Sequence, residues 1–374
     1  MVRILDNLEN RNVMSPWQLA IVIAVAGAGA AVVSSPKVLV SLAGHFAWLI
    51  PVLGGALYFG VAYLMIKLGN LFPGDSFSRY LQQIWGRRAA VIIVWWFIVV
   101  ILGELFVRIQ MFAREIVFFM FDRTPPEVIA LTMIGIAAYC AVQDVGTVIR
   151  VSHILFFSAL PMLMGMIMLG FINFQFINLY PFWPVNLAAI FRASLESQSF
   201  YFGYQSILYF LPWVYRANTS PVKTIGSAFA LKTILMVITI IMVIGTQTVD
   251  GINATPYPTL VAIRGVELPG TFVERLDNYL FLAWIPIMFI TCAVNLFIIA
   301  KAAAEIHGYI DHRPFVLLFL PVLFFGGLSL HDLTVFEFFA GNVQWPGLVF
   351  SFGVIPATYL VAKWKQRRQG VTSA

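Results

Sequence analysis

The sequence predicts an all-α integral membrane protein: ten transmembrane helices in two inverted sets of five, with helices 1 and 6 broken. Three observations predict it. The composition is too apolar for a soluble core, ten apolar stretches have spanning length, and the first and sixth share matching irregularities.

Of 374 residues, 60% are hydrophobic and 11% charged, and the mean hydropathy is +0.88. A soluble domain is roughly 45–50% apolar and about 25% charged. The basic residues fall at the ends of apolar segments rather than in one patch, which argues against nucleic-acid binding. Two cysteines, Cys140 and Cys292, lie inside predicted spans, so no disulfide framework is implied. The opening "MVRILDNLENRNVMS" is mostly polar and lacks a cleavable signal pattern, leaving the first span as its own insertion signal.

A spanning helix needs about 20 mostly apolar residues. That ruler places spans at approximately 16–34, 46–68, 89–119, 126–143, 150–172, 188–212, 224–247, 272–300, 314–330 and 343–363. Residues 1–15 form an N-terminal cytoplasmic segment and 16–172 the first five-helix repeat. The second repeat covers 173–363, with an outer loop at about 248–271, and 364–374 is a basic cytoplasmic tail. With the amino terminus inside, the inner segments collect 16 of the 23 Lys and Arg, Lys232 among them, so both termini are expected in the cytoplasm. The loop at 173–187, uncharged and aromatic, is expected along the outer interface, and "PTLVAIRGV" as a short surface helix.

An odd number of spans per half sets the halves in opposite orientations, and interrupted segments at matching positions point to a binding site. Span 1 carries "VAGAGAAVVSSP". Gly27 and Ala31 could serve close helix packing, or Gly27 and Gly29 could break the helix and expose backbone to a ligand. Span 6 reads "ASLESQSFYFGYQSILYFLPW", polar where lipid-facing residues would stand. It either faces the bundle interior or lines a pocket. The pairing of the two anomalies favours the break and the pocket. The candidate ligand-binding residues are the backbone of Ala26, Gly27, Ala28, Gly29 and Ala30, with Ser199, Tyr201, Phe202, Gly203, Tyr204 and Gln205 as facing walls.

Span 3 holds Glu104 and Arg108 four apart, able to pair on one helix face, either as a packing device or in gating. Span 8 opens with Glu274, Arg275 and Asp277, either solvated charges or a gate, and deeper in it Thr291 and Asn295 could face the cavity. The five histidines make no metal-ligand spacing. No nucleophile motif is present, so neither an enzyme nor a cofactor is expected.

Several stretches together resemble the B-subunit family of bacterial spore germinant receptors, the spore-permease branch of the amino acid–polyamine–organocation transporter superfamily. They are the small residues with Pro36 in span 1, Arg108, Glu115 and "FDRTP", "FGYQSILYFLP", "YPTLVAIRGVELPG" and "FVERLDNYLFLAW". The resemblance runs from about residue 12 to 368. It implies a LeuT-like fold and a subunit of the spore inner membrane that senses a small germinant, an amino acid foremost, beside membrane-bound A and lipoprotein C subunits. An amino acid transporter and a structural subunit of a germination channel are the alternatives. Where the family can carry an acid two places after the glycine, this chain has Gln205, which suits recognition better than proton coupling.

Overall fold

The computed structural model describes residues 14–121, 123–181, 186–214, 220–266 and 276–372. Helices form nearly all of it. The one isolated β-bridge among the described residues joins Met14 to Val214, with the Met14 N–H 2.9 Å from the Trp213 carbonyl.

The first helix, α1 (Pro16–Val25), starts at a capping box. The Gln18 N–H donates to the Ser15 hydroxyl at 3.2 Å, and the Ser15 N–H to the Gln18 side chain at 2.8 Å. Pro16 follows at the position where a missing N–H does no harm. The chain leaves the helix at Ala26 and Gly27, then resumes as α2 (Ala28–Ala43). Pro36, inside α2, has no N–H to give the carbonyl of Val32. That oxygen instead accepts from the Thr259 hydroxyl at 2.8 Å.

Next come α3 (Leu49–Leu71), α4 (Phe77–Trp85), α5 (Arg87–Phe119), α6 (Pro126–Ala141) and α7 (Val145–Leu169). The second interrupted segment is α8 (Leu187–Glu196), α9 (Gln198–Tyr201), a turn at Phe202 and Gly203, and α10 (Ile207–Phe210). Then follow α11 (Pro221–Ala254), α12 (Pro258–Arg264), α13 (Leu276–Ile306) and α14 (Arg313–Leu328). The last apolar stretch is α15 (Leu333–Asn342), α16 (Gln344–Val349), a π-helical turn and α17 (Ile355–Thr372).

Among the described residues, six helical stretches are long and apolar enough to cross a membrane: Leu49–Leu71, Arg87–Phe119, Val145–Asn173, Pro221–Ala254, Tyr279–Ile306 and Leu333–Arg368. Pro16–Val25, Pro126–Ala141 and Arg313–Leu328 are apolar but shorter.

Three segments differ from the sequence reading. Helix α11 runs past 247 to Ala254 because it kinks at Thr248 (φ 63, ψ 163) rather than ending. The last span begins ten residues earlier than 343, at Leu333, where the Asp332 carboxylate caps the N–H groups of Thr334 and Val335 at 2.9 and 3.1 Å. Part of the 173–187 loop docks on α11. The carbonyl of Gly245 takes the Gln175 N–H at 2.9 Å and the Asn178 amide at 2.8 Å, and only a glycine there leaves room for the Phe174 ring.

Candidate functional site

A helix that stops in mid-bundle releases main-chain N–H and C=O groups that must find other partners. Gly27 adopts φ 93 and Gly203 φ 98, left-handed conformations that a side chain disfavours. The turns they make bring the two interruptions together. A Cβ on Gly27 would meet the Phe202 carbonyl, and one on Gly203 the Ala26 carbonyl.

Three side chains from other helices meet the freed groups. The Lys232 ammonium, on α11, donates to the carbonyls of Ala26 at 2.7 Å and Phe202 at 2.9 Å, so one cation ties both interruptions. Thr291, on α13, accepts the Gly27 N–H on its hydroxyl at 2.9 Å. Arg108, on α5, donates to the Ser199 carbonyl at 2.7 Å and to the Ser199 hydroxyl at 3.2 Å. In an unbroken helix that carbonyl would take the N–H of Gly203. Here the Gly203 N–H donates to the Gln205 side chain at 2.9 Å.

Arg108 is 2% exposed, pairs with Glu104 one turn away at 3.4 Å, and lies 4.3 Å over the Phe202 ring. The remaining walls are aromatic. The Tyr201 hydroxyl donates to the Pro51 carbonyl at 2.5 Å and bonds Thr233 at 2.9 Å, and its ring stacks on Phe229 at 5.6 Å. Tyr204 bonds the Ser351 hydroxyl at 2.5 Å and packs on Tyr58 at 5.6 Å. Asn295 donates to the Thr291 carbonyl at 2.7 Å.

Several buried polar atoms on the elements that meet here have no protein partner among the described residues. They are Glu104 Oε1, Arg108 Nε, both amide atoms of Gln198, Ser206 Oγ and Asn295 Oδ1. Leaving such an atom without a hydrogen bond costs about 1–3 kcal/mol. A polar occupant at the junction would find both donors and acceptors.

The sequence-predicted residues therefore fall unequally. Ala26, Gly27, Ser199, Phe202, Gly203, Gln205, Glu104, Arg108 and Thr291 meet in one network. Tyr201 and Tyr204 form its aromatic flank, and Asn295 backs Thr291. Ala28, Gly29 and Ala30 form the first turn of α2, so the left-handed residue is Gly27 rather than Gly29. Gln205 uses its acceptor inside its own turn. Glu274 and Arg275 lie outside the described residues. Asp277 belongs to α13 by its backbone, with its side chain outside the description.

One assignment is corrected. Lys232, counted with the basic residues of the inner side, is 4% exposed and sits at the junction, because its ammonium satisfies two carbonyls that no helix can. A lysine eight residues inside an apolar span was itself the available signal.

Comparison with known proteins decides the family. A profile described as "Spore germination protein", the spore permease family, matches residues 13–332, a stretch that contains both interruptions and Lys232. The chain belongs to this family. Its relatives include spore germination proteins of Bacillus subtilis (strain 168). Spore germination protein YndE is 23% identical over 324 residues, 86% of this chain and 88% of the relative. Spore germination protein B2 is 23% identical over 256 residues, covering 68% and 69% of the two chains. Spore germination protein A2 is 24% identical over 298 residues, covering 79% and 81%. The chain is thus a spore-germination protein of membrane-spanning character.

Proposed function

We propose that this spore-permease chain is the germinant-sensing membrane subunit of a spore germination receptor. It holds a small nutrient, an amino acid foremost, where the two broken segments meet. Its ten apolar segments form two inverted sets of five, LeuT-like, with both termini in the cytoplasm of the spore and the membrane being its inner one. Support comes from the matching left-handed glycines, Gly27 in the first segment and Gly203 in the sixth.

The observation that carries the reading is the pair of opposed helix breaks, with buried polar atoms on the same elements that are partnerless among the described residues. At the start of α2, the N–H groups of Ala28, Gly29 and Ala30 have no acceptor within their own helix, and the positive helix end favours a carboxylate. Arg108 pairs with Glu104, while the Lys232 ammonium bonds only main-chain carbonyls among the described residues, a balance that a ligand carboxylate completes. Ser199, Tyr201, Phe202, Gly203, Tyr204 and Gln205 form the opposite wall. A nutrient amine that takes over the Ser199 carbonyl displaces Arg108, and binding then shifts the chain between two arrangements, as signalling requires. The A and C subunits of the receptor would read that shift. Broken helices equally serve secondary transporters, and uptake of labelled amino acid into liposomes by this chain alone would favour that reading.

Thermal unfolding of the purified chain against amino acids, sugars and nucleosides tests the proposal. A bound nutrient at a hundredfold its Kd adds about 2.7 kcal/mol of stability. Ser199→Ala and Tyr201→Phe should weaken that gain. No gain from any class, or undiminished affinity in both variants, would overturn the reading.

A further inference from the structure

A cavity of about 570 Å³ opens between α2, α5, α15 and the turn that follows α11. Small-molecule sites measure roughly 300–1,000 Å³. It stands apart from the junction: Arg114, on its wall, lies six residues beyond Arg108 on α5, roughly 9 Å along the helix.

Its lining carries both signs of charge, with Arg114 and Lys37 half-buried and Glu337 exposed. Arg114 is held in place. It donates to the carbonyls of Leu330 and His331 at 2.7 and 2.8 Å and lies 4.5 Å over the Phe336 ring. Lys37 adds a second cation from α2, and Glu337 a carboxylate from α15. Among the described residues no ion pair joins Glu337 to either cation. Tyr257 completes the wall. Burial first, and Glu115 nearby, push its phenol up to about 12, so it stays a neutral donor at every physiological pH. Its ring is fixed against Phe118 and Phe119 at 5.7 and 5.6 Å. The bond from Thr259 to the Val32 carbonyl holds the next short helix, α12, against α2 beside it.

We infer that this cavity is a separate binding site for a small zwitterion of the α-amino acid class, with the ligand carboxylate on Arg114 and Lys37 and its ammonium on Glu337. Met111 and Phe336 supply apolar surface for the side chain. The site receives nutrient at the mouth of the bundle, above the closed junction. This rests on the proposed nutrient-sensing role, but not on the junction being the place of binding.

The test uses the full chain in detergent. The twenty common L-α-amino acids are screened by thermal shift, and the best is compared with its decarboxylated amine and its deaminated acid. Arg114→Gln and Glu337→Gln should each weaken binding of the amino acid by about tenfold. Glu337→Gln should leave the deaminated acid unaffected, since that probe has no ammonium to lose. If both variants bind the amino acid like the wild type while Ser199→Ala does not, the cavity is overturned and the junction stands. If Ser199→Ala and Tyr201→Phe bind normally while the cavity variants fail, the junction falls and the cavity stands. Absence of any shift across the panel overturns the inference.

Discussion

Gly27 and Gly203 face each other across the bundle, each so close to the carbonyl preceding the other that neither site has room for a Cβ. Both also need a left-handed backbone, at φ 93 and 98. The conformation alone costs a non-glycine residue about 1–2 kcal/mol, before the collision is counted. Gly27→Ala and Gly203→Ala should each lower stability by at least about 2 kcal/mol in thermal unfolding of the purified chain. The double variant should lose less than the sum, because one separation of the two turns relieves both collisions. Full additivity would contradict this contact.

Lys232 stands between two main-chain oxygens, at 2.7 and 2.9 Å. A tethered ammonium needs no ion from solution. Nutrient binding by the wild type should therefore be unchanged when sodium chloride is replaced by choline chloride. Lys232→Met strands both oxygens and should destabilise the chain by about 2–6 kcal/mol, the cost of two unpaired carbonyls. A strong sodium requirement in the wild type would show that the ammonium has another role.

The Thr259–Val32 bond exists because Pro36 cannot donate to Val32. Thr259→Val should cost about 1–3 kcal/mol by leaving that buried carbonyl unpaired. In a Pro36→Ala background the helix supplies its own N–H, and the same substitution should then cost much less. Equal costs in both backgrounds, measured by thermal unfolding, would break the link between the proline and the threonine.

At the loop before α14, His312 bonds the Ala141 carbonyl at 3.0 Å and meets the Phe297 ring edge-on at 4.8 Å. Burial lowers its pKa below the usual 6.5. The folded chain therefore holds His312 neutral at pH values where the unfolded chain protonates it. Its contribution is complete above about pH 6.5 and is lost as pH falls from there towards the depressed folded value. The unfolding temperature of the wild type should drop more than that of His312→Gln between about pH 7.5 and 5.5. An equal or smaller drop would contradict the buried neutral ring.

Much of the junction was legible in the residues. Glycine in mid-span and a run of Ser, Gln and Tyr are both expensive in a membrane helix, and both mark where the helices stop. The identity of the left-handed glycine was not legible. Gly27 and Gly29 are locally equivalent, and the Phe202 carbonyl, 175 residues away, decides between them. Lys232 lies within a span, and the inward bias of basic residues holds for loops, so that bias says nothing of its place. Gln205 looked free for a ligand, since capping of the Gly203 N–H depends on a turn that only the fold defines. The bond from Thr259 to Val32 likewise joins two motifs whose proximity is tertiary.

The most direct test of the central claim is an experimental structure of the purified chain with a saturating nutrient. Ligand density is expected between the first turn of α2 and Ser199–Tyr204, with Arg108 withdrawn from the Ser199 carbonyl. A stabilising nutrient bound elsewhere, with Arg108 still on Ser199 and the junction packed as described, would contradict it.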